Sequence, residues 1–220
     1  MDFTELLGRY ALMLAEADRT FQRMRQAYGG NIRCRPGCSD CCHAVFGLFL
    51  VEGLYLQTHF RNLARKERRA ALLRGQKSEK ALLSLENEVK RFCHDPGSAS
   101  LVLARGRVPC PLLDTSRQCV LYPHRPLTCR IYGIPTRVRG EMRVCGRAAF
   151  GKGESYPVFD LDGAFKALHL LSRDLLEKTG RRDLEKAALL ISVPKVIRTP
   201  FEEIIGESPG SPGGGSAHGV

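Results

Sequence analysis

Residues 34–42 read Cys34-Arg-Pro-Gly-Cys38-Ser-Asp-Cys41-Cys42, four thiols within nine positions. Pro36 and Gly37 bend the backbone between the first two cysteines, so side chains three or four apart can turn toward one centre. Thiolates are soft ligands that favour zinc, copper(I) or iron–sulfur clusters over magnesium or calcium. Spacing of this kind suits both tetrahedral zinc and a cubane cluster. Small buried cysteines are also ordinary core residues, but four of them on one short polar loop argue against that. Cys41 and Cys42 are adjacent, and in an extended stretch neighbouring side chains point apart. One of them is then free to serve a second site.

Outward from this loop, Cys110 sits in Val108-Pro109-Cys110-Pro111, and Cys119 opens Cys-Val-Leu-Tyr. Cys129 lies in Arg125-Pro126-Leu127-Thr128-Cys129-Arg130, and Cys145 in Val-Cys-Gly. Each stands beside a turn-forming residue or at the end of a short β-prone piece, where ligand-bearing loops lie. Residues 108–150 would struggle to build a core without a staple, which a metal supplies. The candidate ligands are therefore Cys34, Cys38, Cys41, Cys42, Cys110, Cys119, Cys129 and Cys145. Cys93, at the end of a helical stretch, is the bystander. His43 and His124 are weaker, nitrogen-donor candidates. Tyr122, Arg125 and Arg130 flank Cys119 and Cys129. They either face the sulfurs as donors that tune the site or hold a turn through arginine–carbonyl bonds, with Pro126 starting a short helix.

The ordered series Cys-Ser-Asp-Cys-Cys, then Cys-Pro-Leu-Leu, then Cys-Val-Leu-Tyr-x-x-Arg-Pro-x-x-Cys-Arg resembles the zinc- or iron-chelating cysteine-cluster proteins (YkgJ-type, CxxCxxCC). It covers residues 34–42 and 108–150. Flagellin lysine N-methylases resemble the same cysteine pattern, and that relationship implies an iron–sulfur cluster. One departure touches Cys34: its spacing to Cys38 is Cys-x3-Cys rather than Cys-x2-Cys.

The remainder of the chain reads as helix. Phe3, Leu7, Tyr10, Leu14, Ala17, Phe21, Met24 and Tyr28 recur at steps of three and four and predict one long amphipathic helix over 2–28. Asp2 with Glu5 resembles a capping box. The same spacing fits a coiled-coil seam, so residues 3–28 are also a candidate oligomer surface. The very apolar Val45–Phe60 carries a predicted buried helix continuing into Arg61–Arg74, and Ser78–Phe92 a further helical stretch. Residues 94–98 are a break. Ile134–Val138 and Met142–Cys145 predict a hairpin. Gly163–Lys178 predicts an amphipathic helix, with Asp160 and Asp162 at its start, and residues 184–205 a weaker helix interrupted at Pro194. The predicted fold is mainly α, with amphipathic helices around a small, irregular, cysteine-rich metal-binding region carrying short β-hairpin pieces. Residues 1–205 form one domain: helix 2–28, Cys loop 31–44, helices 50–92, Cys-rich region 108–150 and helices 163–205. Residues 206–220, rich in Gly, Ser and Pro, form a disordered tail.

The 220 residues contain nine cysteines and no tryptophan, and carry a formal charge of +11. The longest apolar run, Ala44–Val51, stops at Glu52, well short of the ~20 residues of a membrane span. Asp2 and Glu5 stand where a signal peptide needs positive charge. The expected compartment is the reducing cytoplasm, where clustered thiols bind metal rather than form disulfides. The charge counts every cysteine as neutral. Four thiolates around a [4Fe–4S]²⁺ core, or around one zinc ion, would lower it by about two, which leaves most of it unexplained. Arg61, Arg65, Lys66, Arg68, Arg69 and Arg74 make 61–74 a basic helix suited to a protein or other acidic partner. Nucleic acid is the less favoured partner, since no aromatic residues are interleaved. There is no phosphate loop, no Ser/His/Asp set and no recognisable S-adenosylmethionine motif. The functional expectation is a metal-binding protein with [4Fe–4S] ahead of zinc. The alternatives are a cluster-dependent methyltransferase-like enzyme and a zinc-stabilised nucleic-acid or protein adaptor.

Overall fold

In a computed structural model, residues 2–35, 37–92, 94–151 and 153–206 are described. Cys93 and all of the predicted tail beyond Gly206 lie outside the described residues. The first helix, α1 (Thr4–Tyr28), buries Leu6, Tyr10, Leu14, Ala17 and Met24. Phe3, Leu7, Phe21 and Tyr28 lie partly buried against the same core. At its start Asp2 accepts the Thr4 backbone N–H at 2.8 Å, which meets one of the unpaired N-terminal donors.

The next helix, α2 (Leu50–Arg61), is the centre of the molecule, packed by α1 on one side and by three later helices on the others. Leu50, Val51 and Leu56 have no exposed surface, each worth roughly 1.5–3 kcal/mol of apolar burial. The helix begins at Leu50, the bound given above, and the apolar residues just before it stay outside the helix. Leu48 exchanges two 2.8 Å backbone bonds with Ile191. Glu52 then reaches back to the Phe49 N–H at 3.2 Å and fixes the first turn. The chain also breaks after Arg61. A separate 26-residue helix, α3 (Arg65–Lys90), unites the two stretches that the sequence reading had split. A helix absent from that reading, α4 (Pro96–Arg105), follows the break at 94–95, capped by Asp95 through the N–H groups of Gly97 and Ser98.

The short α5 (Leu127–Ile131) begins just after Pro126. The predicted hairpin is β1 (Thr136–Val138) against β2 (Glu141–Arg143), antiparallel. Its turn residues Arg139 and Gly140 sit at φ 53° and 76°, the left-handed pair that suits a two-residue hairpin. A third strand, β3 (Phe159–Asp160), adds parallel to β1, giving the order β2-β1-β3. Asp160 caps α6 (Leu161–Lys178) through the Gly163 N–H. Asp162 accepts the Arg139 and Gly140 N–H groups at 2.8 and 3.1 Å, tying the hairpin to α6. After a 3-10 turn at Leu184–Ala188 come α7 (Val193–Arg198) and α8 (Phe201–Gly206). Pro194 does not interrupt a helix. It lies in the first turn of α7, where its missing N–H has no helical partner to lose. Gly206, assigned above to the tail, closes α8. The fold is mainly helical with one small sheet, and no helix among the described residues is long and apolar enough to cross a membrane.

Candidate metal centre

Backbone pairing gathers the cysteine loops. Asp40–His43 forms a 3-10 turn, with the Cys42 N–H bonded to the Ser39 carbonyl at 3.0 Å. The segment at 107–110 runs beside it in strand-like fashion: Val108 N–H meets the His43 carbonyl at 3.0 Å and Cys110 N–H the Cys42 carbonyl at 2.7 Å. A loop turned at Arg117 (φ 59°) pairs Leu113 with Cys119. Cys129 rides on α5, whose first N–H, from Leu127, is held by Glu52 at 3.2 Å. Thiols drawn from distant segments thus reach one region through ordinary hydrogen bonds.

All eight described cysteines are free thiols of intermediate exposure. Seven of them line a cavity of about 520 Å³: Cys34, Cys38, Cys41, Cys42, Cys119, Cys129 and Cys145. A smaller, apolar pocket behind it, between Val45, Leu82 and Pro194, is lined by Cys41, Cys42, Cys110, Cys119 and Cys129. Four thiols therefore form the partition between two spaces, with Cys110 behind and Cys34, Cys38 and Cys145 in front. Among the described residues, no three Cys, His, Asp or Glu side chains converge closely enough to hold a single metal ion. The sulfurs rim a space instead of meeting at a point.

Their electrostatics show the same crowding. Burial, then the neighbouring thiols Cys38, Cys145 and Cys41, raises Cys34 to about 11. Burial raises Cys110 to about 12 and lifts Cys119, Cys129 and Cys145 as well. Cys41 runs the other way, lowered to about 7, because Cys42 hydrogen-bonds to its thiolate and Arg125 stands nearby; Cys42, the donor, is correspondingly raised. A set of thiols that suppress one another's ionisation is relieved by a bound cation.

Several residues outside the candidate set shape this site. Asp40, buried inside the first motif, ion-pairs with Arg107 and, at 3.1 Å, with Arg147. It also accepts from the Tyr132 hydroxyl at 3.2 Å and from Cys145 Sγ at 3.3 Å. It thereby ties the last cysteine to the first loop. Gly133 (φ +106°) approaches Cys34 so closely that a Cβ there would lie 2.5 Å from the sulfur. Glu52 binds Tyr10 OH and Leu127 N–H through one oxygen, at 3.1 and 3.2 Å, and so supports Cys129 from below. One signal for these was available: Asp40 is an acid between ligand-type cysteines, and Glu52 is a lone acid ending an eight-residue apolar run.

The flanking residues divide. Arg130 holds the turn, donating to the Arg125 and Pro123 carbonyls at 3.0 and 2.6 Å and pairing with Asp18. Arg125 lies over the Tyr122 ring at 4.0 Å and lines both spaces. Its Nε is buried with no hydrogen-bond partner among the described residues, an arrangement that fits an anionic group absent from the chain itself. His43 faces the Ser39 carbonyl at 2.9 Å. His124 stacks on His59 at 3.5 Å beside Tyr55. Neither histidine lines either cavity.

A family model described as "CxxCxxCC: Putative zinc- or iron-chelating domain" matches residues 33–146. No curated protein and no solved structure matches the chain.

Proposed function

Because the chain belongs to the CxxCxxCC family, whose model describes zinc or iron chelation, we propose that its thiols hold iron–sulfur centres, with [4Fe–4S] ahead of zinc. The observation that carries this is the shape of the site: seven free thiols line one open cavity, with Cys110 in the pocket behind it. A single tetrahedral zinc needs four donors about 2.3 Å from one centre, whereas a cluster core itself occupies room between its cysteines. The all-thiol donors and the orphaned Arg125 Nε suit either metal, and both suit an anionic centre.

The proposed ligands are Cys34, Cys38, Cys41, Cys42, Cys110, Cys119, Cys129 and Cys145, in two groups. Cys110 is bonded through its backbone to Cys42, and the Cys42, Cys110, Cys119 and Cys129 thiols, together with Cys41, line the smaller apolar pocket. That makes them the inner group. Cys34, Cys38 and Cys145 line only the larger cavity and make the outer one, and Cys41 faces both. A bound centre supplies redox capacity and a cross-link to loops that lack a core of their own. The chain's part is to fix the loops through Asp40 and Glu52, to set donors near sulfur through Arg125, and to screen the inner thiols with the apolar pocket.

Purification under anaerobic conditions, followed by iron, zinc and acid-labile sulfide analysis, tests this. Brown protein with about four or eight iron and matching sulfide per chain is expected. Serine at Cys42, Cys110 or Cys129 should remove the inner half of the metal, and Cys93→Ser none. Colourless protein with stoichiometric zinc and no sulfide would refute the cluster.

A further inference from the structure

The mouth of the larger cavity carries more positive charge than its thiols require. Seven arginines line it against one carboxylate, Asp40. Asp18 pairs with Arg130 and lies 3.8 Å from Arg125, which leaves six arginine charges to set against the single charge of Asp40. A four-thiolate metal centre carries a net charge of about −2. One centre therefore leaves an excess of about three, and even two leave the cavity positive. The excess is also placed where a ligand would enter. Arg25, Arg33 and Arg35 stand at the mouth with no ion-pair partner among the described residues. The Arg117 guanidinium makes a single bond, to Ser39 Oγ at 3.2 Å. Deeper in, Arg125 presents its unpaired Nε.

We propose that this cavity is a binding site for a small organic anion bearing two or more phosphate or carboxylate groups, seated by Arg25, Arg33, Arg35 and Arg117 in front of the thiols. Guanidinium forks match both oxyanions bidentately, so they do not separate the two chemistries. The cavity of about 520 Å³ also takes the outer metal centre, so the ligand occupies only its arginine-lined end, which restricts it to a compact anion. The arginines converge on a concavity rather than form a track along a helix, which favours a compact ligand over a nucleic-acid backbone. The charge excess rests on a metal-bearing site, but the unpaired arginines and the cavity do not depend on which metal it holds.

The test is calorimetric titration of the protein as purified with fructose 1,6-bisphosphate and, separately, tricarballylate, at about 0.15 M salt so that diffuse attraction is screened. Arg33→Gln/Arg35→Gln is compared with Lys66→Gln/Arg69→Gln on α3, and metal content and circular dichroism are recorded for each. Saturable binding of either probe, weakened about tenfold or more by the first pair and unchanged by the second, is the expected result. The preferred probe then identifies phosphate or carboxylate. No saturable binding of either probe, equal weakening by both pairs, or, in a third titration, binding only of a short single-stranded oligonucleotide would overturn the site. Because metal and sulfide are measured on the same samples, loss of the cluster reading and loss of anion binding are scored apart.

Discussion

Glu52 is fully buried among Tyr10, Phe49 and Leu127, and that burial raises its carboxyl to about 7 from the 4.5 of an exposed glutamate. Below pH 4.5 the group is protonated whether the chain is folded or not, and its contribution to stability is fully present. As pH rises toward 7 the unfolded chain releases the proton freely while the folded chain retains it, so stability falls. At about 1.4 kcal/mol per unit, the shift amounts to about 3 kcal/mol, lost between pH 4.5 and 7 and constant above. In Glu52→Gln the group no longer titrates. The amide nitrogen, facing the Phe49 N–H, adds a fixed penalty of about 1–3 kcal/mol, but that penalty has no slope. Urea unfolding of both proteins at half-unit steps from pH 5 to 8 reads the difference, since any pH effect of the metal is common to the two. The wild-type curve should converge toward that of the variant as pH rises to 7. Parallel curves across that window would refute the assignment of a raised carboxyl to this position.

Gly133→Ala should cost about 1–2 kcal/mol for its left-handed backbone alone, and more through collision with Cys34 Sγ. Gly140→Ala, also at positive φ but with open space around its Cβ, carries only the first cost. Thermal melts and metal content of the pair should show the larger loss, and loss of metal, in Gly133→Ala alone; equal losses would mean that contact with Cys34 does not demand the glycine. Asp40→Ala leaves Arg107 and Arg147 without their anion and Cys145 without its acceptor. Both arginines are largely solvated, so the destabilisation should be modest, about 1 kcal/mol. Cys145 should nevertheless label faster with a thiol reagent, and an unchanged rate would remove Asp40 as its anchor.

The spacing of the cysteines and the period of the helices were readable without coordinates because both are local. Thiols three or four residues apart share a loop, and apolar residues three or four apart share a helix face; α1, the hairpin and α6 follow directly. Where the elements begin and end has equally physical causes. Residues 44–48 are apolar like the helix after them but stay outside it, because Leu48 pairs with Ile191, some 140 positions away in the chain. Pro194 looks like a breaker until its place in the first turn of α7 is known. The flanking residues were a different case. Tyr122, Arg125 and Arg130 were visible as candidates, yet only three-dimensional contacts separate Arg130, which holds carbonyls, from Arg125, which faces the thiols.

By itself, then, the sequence determined a mainly helical chain built around clustered soft donors, since residue type and short spacing carry that information. Tertiary structure alone decided which thiols face each other and that they surround space. It also turned the excess of positive charge into a cavity of arginines. Those properties depend on where separate loops meet, and burial and long-range hydrogen bonds such as those of Asp40 and Glu52 set that meeting.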